Sequence, residues 1–239
     1  MASFFSRARL AAFSRVAAGT AVAAPAVFHL WTRQCAFDES FSPATDPIFQ
    51  HPFLKKANPK NNSYFHDCCY RTVPFDRIRP DLLEDALSGG SKLVETYSAG
   101  VWGRYAFVPQ RKIMEKVRKS ESNAGDIWDK EELLRTTYPA GTIIADDFIV
   151  LDKSTNCIIL RGGESPRVAP GGPRDMDTYI TLTAELDRDA RVAKFKLKSV
   201  VLNGMSDGKG LLPLGGPEVF LHQQYAKLLV TAGVDHCTA

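Results

Sequence analysis

The side chains best suited to chemistry in this chain are five histidines and several carboxylates, and they form no familiar catalytic signature. The sequence contains no P-loop, G-x-G-x-x-G or H-E-x-x-H pattern. His222 falls in the first turns of a predicted C-terminal helix. Imidazole titrates near neutral pH, so His222 is a candidate general acid or base at a cavity mouth. The alternative is a histidine that only satisfies a local hydrogen bond.

Two carboxylates and a tyrosine are the other candidates for proton transfer. Asp146 and Asp147 lie in a predicted strand, where successive side chains point to opposite faces of the sheet. We predict that one of them points inward, where burial would raise its pKa and make it a base. We expect an ion pair of that carboxylate with Arg161, one strand away, ahead of the catalytic role. Tyr97 lies on a predicted helix earlier in the chain, and its polar side chain is able to face inward.

Aromatic residues and one arginine are the candidates for holding a ligand. Trp102, Tyr105 and Phe107 cluster after Gly100, where they would form an apolar lid or part of an ordinary core. Arg161 opens the run Arg-Gly-Gly-Glu at a strand end. That run would hold an anionic or carbonyl group, or would serve only as a turn. The full set of predicted ligand-binding residues is Trp102, Tyr105, Phe148, Arg161, Phe195 and Tyr225.

The elements that must position these residues are a sheet and a terminal helix. Residues 178–186 and 192–202 alternate between apolar and polar side chains around a short polar turn, which predicts an antiparallel hairpin with one solvent-facing side. Residues 142–151 and 157–161 predict two more strands, and residues 65–78 a first strand. Pro217 lies in the first turn of a long amphipathic helix that runs to the C-terminus.

An apolar sheet face must be covered, and the terminal helix is the natural cover. The sequence therefore predicts an α+β domain with a curved antiparallel sheet wrapped around a long C-terminal helix. We expect a cavity between them, with a filled core as the alternative. Its predicted wall consists of Phe148, Ile180, Leu182, Phe195, Leu197, Leu221, Tyr225 and Leu228.

Charge is distributed unevenly along the chain. Residues 1–37 hold four arginines and no acidic residue, which leaves 26 of the 30 basic residues against all 27 acidic ones in the rest. An Ala-, Ser- and Arg-rich segment without acids is typical of a mitochondrial transit peptide. An inner-membrane anchor at residues 16–31 and a disordered tail are the alternatives. The rest of the chain has nearly equal numbers of basic and acidic residues, which argues against a nucleic-acid partner. The other expected partner contact is peripheral binding to a membrane through the N-terminal segment.

Composition also sets the predicted domain boundaries. Residues 38–63 are rich in Pro and Asn, which predicts a linker from which Phe49, Phe53 and Leu54 could still dock on the domain surface. The predicted folded domain is residues 64–239. The five cysteines contain no C-x-x-C pair, so we expect free thiols, no metal site and no cofactor.

The order of the elements from residue 64 to residue 234 resembles the helix-grip fold of the START-like superfamily. That superfamily includes lipid-transfer domains, polyketide cyclases and aromatases, and mitochondrial coenzyme-Q-binding proteins. Three strings, LVETYSAGVWG (93–103), RGGESP (161–166) and KLKSVVLNG (196–204), are similar to fungal proteins of unassigned activity, some encoded near secondary-metabolite genes. The resemblance rests on element order, and it carries over no catalytic residue.

Together, these features predict a mitochondrial protein that binds a hydrophobic small molecule, such as a lipid, a quinone or a polyketide-like compound. The second hypothesis is a cyclase, isomerase or dehydratase of secondary metabolism that uses the same cavity, with His222, Asp147 and Tyr97 as its catalytic residues. The third hypothesis is a non-catalytic mitochondrial scaffold or assembly protein with a filled core.

Overall fold

The computed structural model describes residues 25–207 and 213–239, and the chain divides into two compact units at Gln34. In the first unit, residues 25–32 are helical. Most of the leader predicted over residues 1–37 lies outside the described residues, because the description begins at residue 25. Across the described ranges, no helix combines the length and apolarity needed to cross a bilayer.

The second unit is an α+β domain built on a curved, unclosed sheet of seven antiparallel strands. The order across the sheet is β1-β2-β7-β6-β5-β4-β3. The strands are β1 (Ala36–Phe37), β2 (Tyr64–Pro74), β3 (Ile143–Ile144), β4 (Phe148–Lys153), β5 (Cys157–Gly162), β6 (Asp177–Asp187) and β7 (Val192–Leu202). The predicted fold class is therefore confirmed, and its shape is compatible with a helix grip.

Six α-helices accompany the sheet. They are α1 (Pro52–Ala57), α2 (Pro80–Leu87), α3 (Lys92–Gly103), α4 (Val108–Arg118), α5 (Lys130–Arg135) and α6 (Gly216–Cys237). Pro lies in the first turn of α1, α2, α4 and α6, where its missing N–H costs no helical hydrogen bond. In α4 this residue is Pro109, where a new helix begins after α3 has ended at Gly103.

The β6–β7 hairpin follows directly from residue alternation. In β6, Ile180, Leu182 and Ala184 point into the main core, whereas Tyr179 points to the opposite face. The same period of two operates in β2, where Cys69 faces the main core and Cys68 the opposite face. The hairpin pairs in register along its full length, from Asp177 opposite Leu202 to Asp187 opposite Val192.

Helix α6 covers the concave face of the sheet by packing against β2, β7 and helix α3. The two helices approach closely where each carries a glycine. A Cβ atom on Gly100 would lie 2.8 Å from the Cα of Gly233, and a Cβ on Gly233 would lie 2.5 Å from Cε2 of Tyr97. These glycines therefore bring α3 and α6 into backbone contact and fix the position of the terminal helix over the sheet.

Residues 38–63 pack on the opposite face of the sheet, although their composition predicts a linker. They form a short 3₁₀ helix, Pro47–Gln50, followed by α1. Phe49 and Leu54 are buried in a second apolar cluster with residues of β2, β6 and β7, whereas Phe53 is 40% exposed. Docking is therefore confirmed for two of the three apolar residues. Residues 38–63 therefore shield part of this face of the sheet from solvent.

Candidate functional site

A cavity of about 210 Å³ lies between the sheet and α6, as the sequence predicts. Helix α3 and the start of α4 also contribute to its lining, through Trp102 and Gln110. Its lining is mainly apolar and comes from elements far apart in the chain. The lining residues are Trp102, Gln110, Phe148, Thr178, Ile180, Leu197, Ser199, His222, Tyr225, Ala226 and Leu229.

Four of the predicted site residues meet at this cavity: Trp102, Phe148, His222 and Tyr225. The indole of Trp102 and the ring of Phe148 lie 4.7 Å apart, centroid to centroid, at a tilted angle. A Cβ on Gly162 would lie 2.4 Å from Cδ1 of Phe148, so the glycine makes room for that ring. The aromatic wall is thus held rigidly by packing from both sides.

His222 forms a pair with a carboxylate that sequence reasoning missed. Its Nε2 lies 3.2 Å from Oδ1 of Asp67 on β2, and the edge of the Phe65 ring packs against the imidazole. The Asp67 side chain is 7% exposed, and its second oxygen, Oδ2, has no hydrogen-bond partner among the described residues. A carboxylate that orients an imidazole is the arrangement found in general acid–base catalysts.

Two residues of the cavity lining each carry a buried polar atom without a hydrogen-bond partner among the described residues. Ser199 is directly opposite Asp67 in the β2–β7 ladder, and its Oγ is buried without a hydrogen bond among the described residues. The indole Nε1 of Trp102 is also buried without a hydrogen-bond partner among the described residues. A buried polar group without a partner costs about 1–3 kcal/mol. A ligand carrying a carbonyl or hydroxyl group could satisfy such atoms and recover part of that cost.

A hydrogen-bonded chain leads away from the cavity on its other side. The hydroxyl of Tyr225 donates to Oε1 of Gln110 over 2.8 Å, and Nε2 of Gln110 lies 3.5 Å from Oδ2 of Asp147. Arg118 donates to Oδ1 of Asp147 over 2.9 Å. Burial raises the pKa of Tyr225, and the Asp147 charge raises it further. Tyr225 is therefore a hydrogen-bonding group at neutral pH.

Asp146 and Asp147 occupy a tight turn instead of a strand. Ala145 and Asp146 both have a positive φ, and the turn joins β3 to β4. Both carboxylates are buried: Asp146 pairs with Arg167, and Asp147 with Arg118. Burial raises the pKa of Asp147, while the Arg118 charge opposes that shift. The expectation of one inward and one outward carboxylate is wrong because the local backbone is not extended.

Arg161 lies on the sheet face opposite the cavity, because it alternates with the core residue Leu160 on β5. It forms a bidentate ion pair with Asp177, through Nε at 2.8 Å and Nη2 at 2.6 Å. It also donates to the carbonyls of Pro170 and Gly172, which fixes the long β5–β6 loop. The expected ion pair of Arg161 with Asp146 or Asp147 is therefore wrong.

The remaining predicted residues lie outside the cavity lining. Tyr97 is fully buried between Phe195 and Gly233, and its ring lies 5.1 Å from that of Phe195. Burial raises the pKa of Tyr97 well above its usual value, so its hydroxyl stays protonated at neutral pH. Tyr105 donates to Asp235 on another surface, and Leu221 is 66% exposed rather than part of the wall.

Sequence reasoning missed Asp67, Gln110, Thr178, Ser199, Ala226 and Leu229. One signal was present: the inward positions of β7 are apolar at Ala193, Phe195 and Leu197, and the next inward position is Ser199. A polar residue at an inward strand position is a cue for a buried polar site. Asp67 occupies the equivalent position on β2. No local pattern indicated the Gln110 side chain.

The described residues contain no group of three or more His, Cys, Asp or Glu side chains able to hold a metal ion. Comparison of the chain with protein-family models, with curated proteins and with solved structures found no match. The case for a function therefore rests on the cavity and its polar groups.

Proposed function

We propose that this protein binds a compact hydrophobic molecule carrying a carbonyl or hydroxyl group in the cavity between α6 and the sheet. The observation that carries the proposal is the cavity of about 210 Å³ with its mainly apolar lining. An empty apolar cavity of about 150 Å³ is already large enough to bind benzene. The scaffold hypothesis assumed a filled core, and this cavity does not favour it.

The volume of the cavity limits the size of the ligand that it can hold. Typical pockets for drug-sized ligands have volumes of about 300–1,000 Å³. A cavity of about 210 Å³ suits a molecule of one or two rings, such as a quinone head group or a small polyketide-like ring system. A diacyl lipid is too large to be enclosed there. The unpartnered atoms of Ser199 and Trp102 favour a ligand with at least one polar oxygen.

A filling substitution tests the binding proposal. The bicyclic ketone 2-tetralone is a suitable probe because it combines an apolar body with one carbonyl. In a thermal-shift titration of the full chain, we expect 2-tetralone to raise the melting temperature. Ala226→Leu places extra methyl groups in the cavity and should abolish the shift, whereas Ala190→Leu, on the exposed β6–β7 turn, should preserve it. An unchanged shift in Ala226→Leu would place the ligand elsewhere.

The His222–Asp67 pair favours a second function, proton transfer to or from a bound ketone or enol. If the site catalyses such a step, it should exchange the α-protons of 2-tetralone with deuterium in heavy water, as measured by proton NMR. His222→Gln should then lose the exchange while retaining the thermal shift. Equal exchange rates with the wild type and with His222→Gln would leave simple binding as the function.

A further inference from the structure

A second concave site lies at the C-terminal ends of α3 and α6. It is an open groove of about 710 Å³, and none of its lining residues lines the cavity. Three cationic side chains and one histidine contribute to it. The lining residues are Arg79, Arg104, Tyr105, Val108, Lys130, Leu134, Asp235, His236 and Thr238.

The positive charge in this groove is only partly neutralised within the described structure. Arg104 lies over the ring of Tyr105, 5.7 Å from its centroid, and neither Arg104 nor Lys130 forms an ion pair with a described residue. Arg79 pairs with Asp81, but both side chains are largely exposed, and such surface pairs contribute little. Three cations in one concave surface favour an anion.

Among the described residues, the single carboxylate that lines the groove already has two partners. Asp235 accepts a hydrogen bond from the Tyr105 hydroxyl over 2.9 Å and an ion-paired contact from Nη1 of Arg71 over 3.3 Å. Asp235 therefore does little to offset Arg79, Arg104 and Lys130.

The positive charges of the groove also affect the pKa of His236. Burial lowers its pKa, and the charges of Arg104 and Arg79 lower it further. The other groups facing the groove are Lys130, which adds positive charge, and the paired Asp235. The neutral imidazole is therefore favoured while the groove is without an anion, and it should take up a proton when negative charge arrives.

We propose that this groove binds a small organic molecule through a phosphate group, with Arg79, Arg104 and Lys130 contacting the phosphate oxygens. Guanidinium groups match the geometry of phosphate, and a dianion suits three cations better than a single carboxylate. The groove is much larger than a phosphate ion, and Val108, Leu134 and the Tyr105 ring give it an apolar side. The ligand therefore has an apolar or aromatic body attached to its phosphate.

Phenyl phosphate is a probe that combines both features, and isothermal titration calorimetry of the full chain measures its binding. Lys130→Gln removes one exposed cation and should weaken binding about ten-fold, the usual effect of losing one charged hydrogen bond. Arg104→Gln should have at least the same effect. The matched control is Lys116→Gln, an exposed lysine of α4 outside the groove, which should bind like the wild type.

Protonation of His236 gives an independent measurement. NMR titration of the imidazole should show a higher pKa when phenyl phosphate is bound. No binding of phenyl phosphate by the wild type at millimolar concentration would overturn the proposal. Wild-type affinity in both Lys130→Gln and Arg104→Gln would overturn it as well. If Arg104→Gln fails to fold, the exposed Lys130 variant decides the result alone.

Discussion

The contact between α3 and α6 gives a sharp prediction about how the terminal helix is held. In Gly100→Ala, the new Cβ would lie 2.7 Å from Cβ of His236, 2.8 Å from Cα of Gly233 and 2.9 Å from the carbonyl oxygen of Ala232. Two of these three atoms belong to the backbone of α6, so no flexible side chain can move aside. The helices must separate by several tenths of an ångström.

The expected magnitude is the difference between two opposing effects. Alanine in a helix interior is favoured over glycine by about 1 kcal/mol. Overpacking costs about 1–3 kcal/mol, and the backbone contacts place Gly100→Ala at the upper end of that range. The net loss is about 2 kcal/mol, which lowers the melting temperature of a domain of this size by about 4–8 °C.

Differential scanning calorimetry measures this shift, and Gly216→Ala is the matched control. A Cβ on Gly216, in the first turn of α6, would meet nothing within 4 Å, so that variant should melt at or slightly above the wild-type temperature. A Gly100→Ala protein as stable as the wild type would refute the close-packing argument. Since α6 carries His222, Tyr225 and Ala226, its displacement should also weaken the binding of a cavity ligand.

Two other substitutions test the charged groups. Arg161→Leu leaves Asp177 buried without its partner, so we expect a loss of about 3–5 kcal/mol in urea denaturation, and a loss below 1 kcal/mol would contradict the assigned pairing. His236 has a lowered pKa in the folded protein. As pH falls through the ordinary value of 6.5, the unfolded chain therefore binds more protons than the folded protein, and wild-type stability decreases. His236→Gln removes that loss; unfolding free energies at about pH 5 and about pH 8 should show a smaller difference than in the wild type.

Much of the architecture was predictable from the sequence because it depends on local periodicity. The alternation in β6 and β7 set both the hairpin and the side of each residue, and the same period of two in β2 placed Cys68 and Cys69 on opposite faces. Pro217 and the apolar spacing after it set the terminal helix. Because an antiparallel sheet with one apolar face needs a cover, the cavity between sheet and helix followed as an expectation.

Other features depended on local backbone details that periodicity does not reveal. The apolar run around residues 142–151 reads as one continuous strand. The chain instead turns at Ala145 and Asp146 with positive φ, which carries Asp147 toward Arg118. Residues 38–63 have the composition of a linker, yet a few apolar side chains suffice to anchor them because the sheet presents a complementary apolar face.

The sequence by itself determined the β6–β7 hairpin, the terminal helix and the faces of the sheet, since each depends on neighbours a few residues away. The tertiary structure alone decided the pairing of His222 with Asp67, separated by 155 residues, and the meeting of Arg79, Arg104 and Lys130 in one groove. Such contacts form only when the sheet curves and α6 packs on α3. No local sequence pattern specifies which distant residues meet, so the composition of both sites depends on the tertiary structure.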